Sequence, residues 1–193
     1  MLRTVGLLVT ALALVSAAVA LASTPTKLEE WAAFTNGKLA AGIHVVETAR
    51  GSCSGGSHID ARSTAWHCLT QGQAEDPCFA GAVAFMICPF GTPDSHDALK
   101  LNLARPLPAG KANPRVDPKR HDPWAVLTAS GAYCYRATGT PIHIAGKTIT
   151  YQCAGAALLA GHPNRTQTVW MISLLPTGTS TRYRTIAITT AWW

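Results

Sequence analysis

Apolar and polar residues alternate with a period of two in several stretches of this chain. Leu99, Leu101 and Leu103 alternate with Lys100 and Asn102, the pattern of a half-buried strand. From residue 124 the chain is β-like throughout. PWAVLTA (123–129), QTVWMISLLP (167–176) and YRTIAITTAWW (183–193) read as strands, the last two separated by the polar turn TGTST. Residues 131–137 and 147–153 are rich in Tyr, Thr and Ile. In the second run Ile149, Tyr151 and Cys153 share one face, and Thr148, Thr150 and Gln152 the other.

The first half is less regular. Leu28, Trp31, Ala32 and Leu39 approximate one apolar stripe, and TKLEE offers capping-type polar residues. A short N-terminal helix is therefore expected within 24–42. GIHVVETARGSC (42–53) reads as a strand, and SCSGGSHIDARS (52–63) as a loop. RSTAWHCLTQG (62–72) suits a short helix or turn. The apolar centre 82–87, bounded by Pro77 and Pro89, suits either a buried strand or a helix. Residues 105–123 hold five prolines and five Lys or Arg against two Asp, the composition of an irregular loop. Together these elements predict a β-dominated α+β fold: an antiparallel sheet or small sandwich after a short N-terminal helix.

The opening residues carry one charge, Arg3, before an apolar run from Val5 to Ala22 that ends in Ala-Leu-Ala. That layout predicts a secretory signal over 1–22 and one exported domain over 23–193. The alternative is an uncleaved anchor, since eighteen largely apolar residues are just enough to span a bilayer. Only in that case is a membrane a partner.

Export changes the meaning of the six cysteines, Cys53, Cys68, Cys78, Cys88, Cys134 and Cys153. An even number outside the reducing cytosol predicts three disulfides. Zinc would want cysteines two to four residues apart, and a redox pair would want C-x-x-C; neither spacing occurs. No metal or other cofactor is expected from these spacings. Fifteen pairings exist, and the local set 53–68, 78–88 and 134–153 is the expected one, because short loops close easily.

Several short pieces occur together: DPCF at 76–79, CP at 88–89, RPLP at 105–108, PWA at 123–125, a Gly-x-x-Cys at 131–134, ITYQC at 149–153 and TTAWW at 189–193. In these the chain resembles a group of small secreted, cysteine-containing bacterial proteins of unassigned function. The resemblance implies an exported, stapled, β-rich domain and brings no catalytic residue with it.

The net charge of +6 fits an anionic cell-envelope polymer as partner, and equally the ordinary charge of a soluble domain, so it names no partner by itself. Nucleic acid is not expected, because the basic loop 105–123 lacks interleaved aromatics for base stacking. Neither H-E-x-x-H nor G-x-S-x-G is present. The polar-site candidates are Asp94, His96 and Asp97 in DSHD, and His121 with Asp122 in RHD; both stretches also suit plain turns. The leading expectation is a non-catalytic, envelope-associated or extracellular binding module. A small secreted hydrolase built around His96 or His121, and a membrane-tethered ectodomain, are the alternatives.

Overall fold

The computed structural model describes residues 24–81, 84–114, 117 and 120–193. The expected signal segment over 1–22 lies outside the described residues. No helix among those described is long and apolar enough to cross a membrane.

Three short strands open the chain: β1 (Lys27–Glu29), β2 (Phe34–Thr35) and β3 (Lys38–Leu39). The expected N-terminal helix is absent. Asn36 and Gly37 both take positive φ, 51° and 75°, and turn β2 back onto β3. Asn-Gly with two left-handed residues is the tight turn that matches strand twist, and it cannot continue a helix. The backbone before it is spoken for as well. Trp31 N–H donates to the Trp193 carbonyl, and Trp193 N–H donates to that of Glu29. The supposed apolar stripe is not one surface either: Trp31 is buried, whereas Leu28 and Leu39 are exposed.

β4 (His44–Gly56), β5 (Ala65–Thr70), β6 (Gln73–Ala80), β7 (Phe85–Pro89) and β8 (Asp97–Leu103) form a closed five-stranded barrel. The segment expected as helix or turn at 62–72 supplies β5. Neighbours are antiparallel, so the first and fifth strands run the same way. Closure must then be parallel, as it is between β4 and β8. Gly51 sits at the junction, opposite Thr70 of β5 and Leu103 of β8. A Cβ there would lie 2.2 Å from the Leu69 carbonyl oxygen.

The second barrel uses β9 (Ala125–Thr128), β10 (Tyr133–Arg136), β12 (Lys147–Cys153), β13 (Leu158–Asn164), β14 (Trp170–Leu175) and β15 (Arg184–Trp192). The two-residue strand β11 (His143–Ile144) pairs with β12. Six strands return antiparallel, and β15 closes onto β9. β1 continues the β14 side of β15, in parallel, over Thr190–Trp192.

The architecture is therefore all-β, with two closed barrels in place of an α+β sheet or sandwich. Among the described residues no α-helix occurs, and Pro93–Ser95 form a 3-10 turn. Strand alternation sorts the core into three layers. Met86 and Cys88 join Cys53, Trp66, Cys68 and Leu101 in one cluster, while Ile87 between them joins another. Val126, Tyr151, Leu159 and Ile188 belong to the second barrel's cluster. Trp31, Phe79, Ile87, Trp124 and Trp192 form an apolar layer shared by strands of both barrels. The disulfides are Cys53–Cys68, Cys78–Cys88 and Cys134–Cys153. The first and third join residues directly opposite each other on paired strands. The second continues the register of Phe79 with Ile87.

Candidate functional site

Two polar features stand out, one on each barrel. The larger is an open groove of about 510 Å³ between the 137–142 loop and the outer side of β12 and β13. Arg136, Lys147 and His162 line it with Thr138, Thr140, Thr148, Thr150 and Gln152, and no carboxylate does. The alternation read from sequence puts Thr148, Thr150 and Gln152 on one strand face, and all three border this groove. The Lys147 ammonium donates to Ser173 Oγ at 2.8 Å and lies over the Tyr183 ring.

At the groove's edge, Asp122 and His162 meet. His162 Nδ1 lies 2.5 Å from Asp122 Oδ2, and Arg165 donates to Asp122 Oδ1 at 3.1 Å. Arg165 is braced in turn by the Trp170 ring and the His121 carbonyl. Asp122 is thus paired on both oxygens, but its imidazole partner is His162, forty residues away, and not the adjacent His121.

His121 instead lines a smaller cavity of about 240 Å³, with Ser57, His58, Asp60, Asn113 and Arg136. Asp60 is buried and committed to Arg62. The guanidinium reaches it through Nε at 3.1 and 3.0 Å and through Nη2 at 2.6 Å, and stacks over Phe79. Beside this cavity lies a cluster absent from the sequence reading: His58, His67 and Asp76, whose ligand atoms fall within 4.8 Å of one another. Two irregularities create it. Ser54 is an extra residue on β4 between the Cys53–Cys68 and Gly55–His67 pairs. Asp76 and Pro77 together face the single residue His67. Such bulges re-aim side chains, and Pro77 has no N–H to lose from the ladder. Asp76 accepts hydrogen bonds from the Ser57 hydroxyl, from His58 N–H at 3.0 Å and from His67 Nδ1 at 3.0 Å.

The DSHD stretch forms the 3-10 turn and its exit. Asp94 accepts a 2.5 Å hydrogen bond from the Tyr133 hydroxyl, tying the turn to the second barrel. That bond holds the Asp94 carboxyl below its ordinary range and pushes the Tyr133 hydroxyl up to about 12. His96 takes a left-handed conformation, φ 56°, with Nδ1 3.1 Å from the Asp94 carbonyl. Asp97 starts β8, its N–H donating to Ser95 Oγ. These three residues do not converge as a ligand group. Comparison with protein-family models, curated proteins and solved structures finds no significant match.

Proposed function

We propose that this chain is an extracytoplasmic binding protein whose second-barrel groove takes an anionic envelope polymer. The observation that carries this reading is the groove's lining of Arg136, Lys147 and four threonine hydroxyls, with Asp122 at the edge held by His162 and Arg165. Arginine and lysine supply charge-assisted hydrogen bonds to anionic groups, and hydroxyls suit the polar faces of a glycan. Three disulfides fit an oxidising compartment, and the net charge of +6 would draw a polyanion in from a distance.

The test is sedimentation or calorimetry with dextran sulfate against neutral dextran, across a salt series. Arg136→Ala and Lys147→Ala should weaken dextran sulfate binding at about 0.15 M ionic strength, where long-range attraction is largely screened. Arg50→Ala, an equal charge change on the other barrel, should not. Equal loss in all three variants would reduce the effect to net charge and sink the proposal.

The Asp122–His162 pair favours a second reading. A carboxylate that orients an imidazole from Nδ1 leaves Nε2 as a general base, the arrangement of many hydrolytic sites. Under this reading the small-hydrolase alternative centres on His162 and not on His96 or His121. It predicts that His162→Ala abolishes turnover of a bound glycan ester or phosphodiester while binding persists.

A further inference from the structure

We propose that His58, His67 and Asp76 hold one divalent transition-metal ion, with zinc the best match. The donor set is two imidazole nitrogens and one carboxylate oxygen, which excludes the all-oxygen preference of magnesium and calcium. Three protein ligands with a position left open to solvent is the arrangement of accessible zinc sites.

The distances agree with this. Zinc binds nitrogen and oxygen at about 2.0–2.2 Å, so two ligands at a tetrahedral angle stand about 3.3 Å apart. The Nδ1 atoms of His67 and His58 lie 3.0 and 3.9 Å from Asp76 Oδ2, one on either side of that value. The same nitrogen of each ring thus lies near one carboxylate oxygen. His67 is within hydrogen-bond reach of it, but His58 at 3.9 Å is not. The His58 ring stacks on His67, centroids 4.5 Å apart, although its side chain is 64% exposed. An ion lies in the plane of each imidazole that binds it, so the His58 ring, 16° from parallel with His67, must swing out of the stack about its side-chain torsions to ligate.

The surroundings supply what a metal ligand needs. The Asp76 side chain is only 3% exposed, and Ser57 Oγ occupies its other oxygen, Oδ1, which fixes the carboxylate plane. The residues next to His67 and Pro77 on their strands, Cys68 and Cys78, are each locked by a disulfide. Two of the three ligands therefore sit on covalently braced strands, and the exposed His58 provides the entry side.

The experiment uses untagged full-length protein stripped with a chelator. Zn²⁺ is titrated by calorimetry, and Co²⁺ serves as an optical probe of a low-symmetry nitrogen–oxygen site. One equivalent should bind. His58→Ala, at an exposed position where folding is not at stake, should weaken binding by about 100-fold, the upper end of what losing even an outer-shell partner costs. His67→Gln should abolish it, and added Zn²⁺ should raise the unfolding midpoint of the parent but not of His58→Ala. No binding by the parent, or equal affinity in the parent and His58→Ala, overturns the assignment. If His67→Gln misfolds, the His58→Ala comparison decides alone.

Discussion

Removing the Cys134–Cys153 bridge tests how the second barrel is held closed. The bridge spans 19 residues, and closing a loop of that length removes about 3 kcal/mol of unfolded-chain entropy. The other two, spanning 15 and 10 residues, come to about 3 and 2.7 kcal/mol by the same relation. The sum is about 9 kcal/mol, within the whole net stability of about 5–15 kcal/mol typical of a folded domain. The first barrel has two bridges in its core cluster, whereas the second has one. A Cys134→Ala, Cys153→Ala variant therefore leaves the second barrel without a covalent tie. With a urea slope of about 2 kcal/mol/M, its midpoint should drop by about 1.5 M. Tryptophan fluorescence during urea unfolding reads this directly, since Trp170 and Trp193 lie in or against the same cluster. A midpoint within about 0.3 M of the parent at unchanged slope would show that the bridge adds nothing to closure.

Other outcomes follow from single contacts. The buried indole N–H of Trp124 has no hydrogen-bond partner among the described residues, while that of Trp192 donates to Glu29 at 3.0 Å. Trp124→Phe should consequently cost less stability than Trp192→Phe, by about 1 kcal/mol in chemical denaturation; the reverse order would refute the difference. Gly51→Ala should destabilise by about 2 kcal/mol or more, because its Cβ would meet the Leu69 backbone and the Leu101 side chain. A thermal midpoint equal to the parent's would contradict that. The Tyr133–Asp94 bond sets a two-sided pH dependence. The Asp94 carboxyl is depressed, so its contribution is present above the ordinary aspartate range and lost as pH falls through the lowered value. The Tyr133 hydroxyl is raised, so its contribution is intact below about 10 and lost as pH climbs toward about 12. Tyr133→Phe should lower the melting temperature at neutral pH and converge with the parent at both extremes; a pH-independent difference would refute the assignment.

The legible parts of this chain are those decided by neighbours in sequence. The Leu99–Leu103 alternation is β8, and the runs around Cys134 and Cys153 are the strands that the bridge joins. The N-terminal segment misled because apolar spacing over a few residues outweighed Asn36-Gly37, a stronger local signal of a hairpin. Barrel closure was illegible for a different reason: it rests on β4 meeting β8 and β9 meeting β15, pairings with no local trace. The metal cluster shows the same limit. His58, in the loop after β4, is followed at nine-residue intervals by His67 on β5 and Asp76 on β6, so no short motif contains two of them, and two bulges help decide that they meet. The groove was hidden in Thr138, Thr140 and Gly139, residues that composition reads simply as a turn.

The junction of β1 with the end of β15 has a mechanical consequence. The two strands run parallel, Lys27 beside Thr190 and Glu29 beside Trp192. Tension applied between residues 24 and 193 pulls β1 backward and β15 forward along their common axis. The ladder, with the flanking bonds between Trp31, Trp193 and Glu29, is then loaded in shear. Its bonds must yield together, whereas a peeling geometry would break them one at a time. Stretched from these ends, the protein should resist up to one sharp rupture and then lengthen, and the 19-residue segment behind Cys134–Cys153 should add no length until that bridge is reduced.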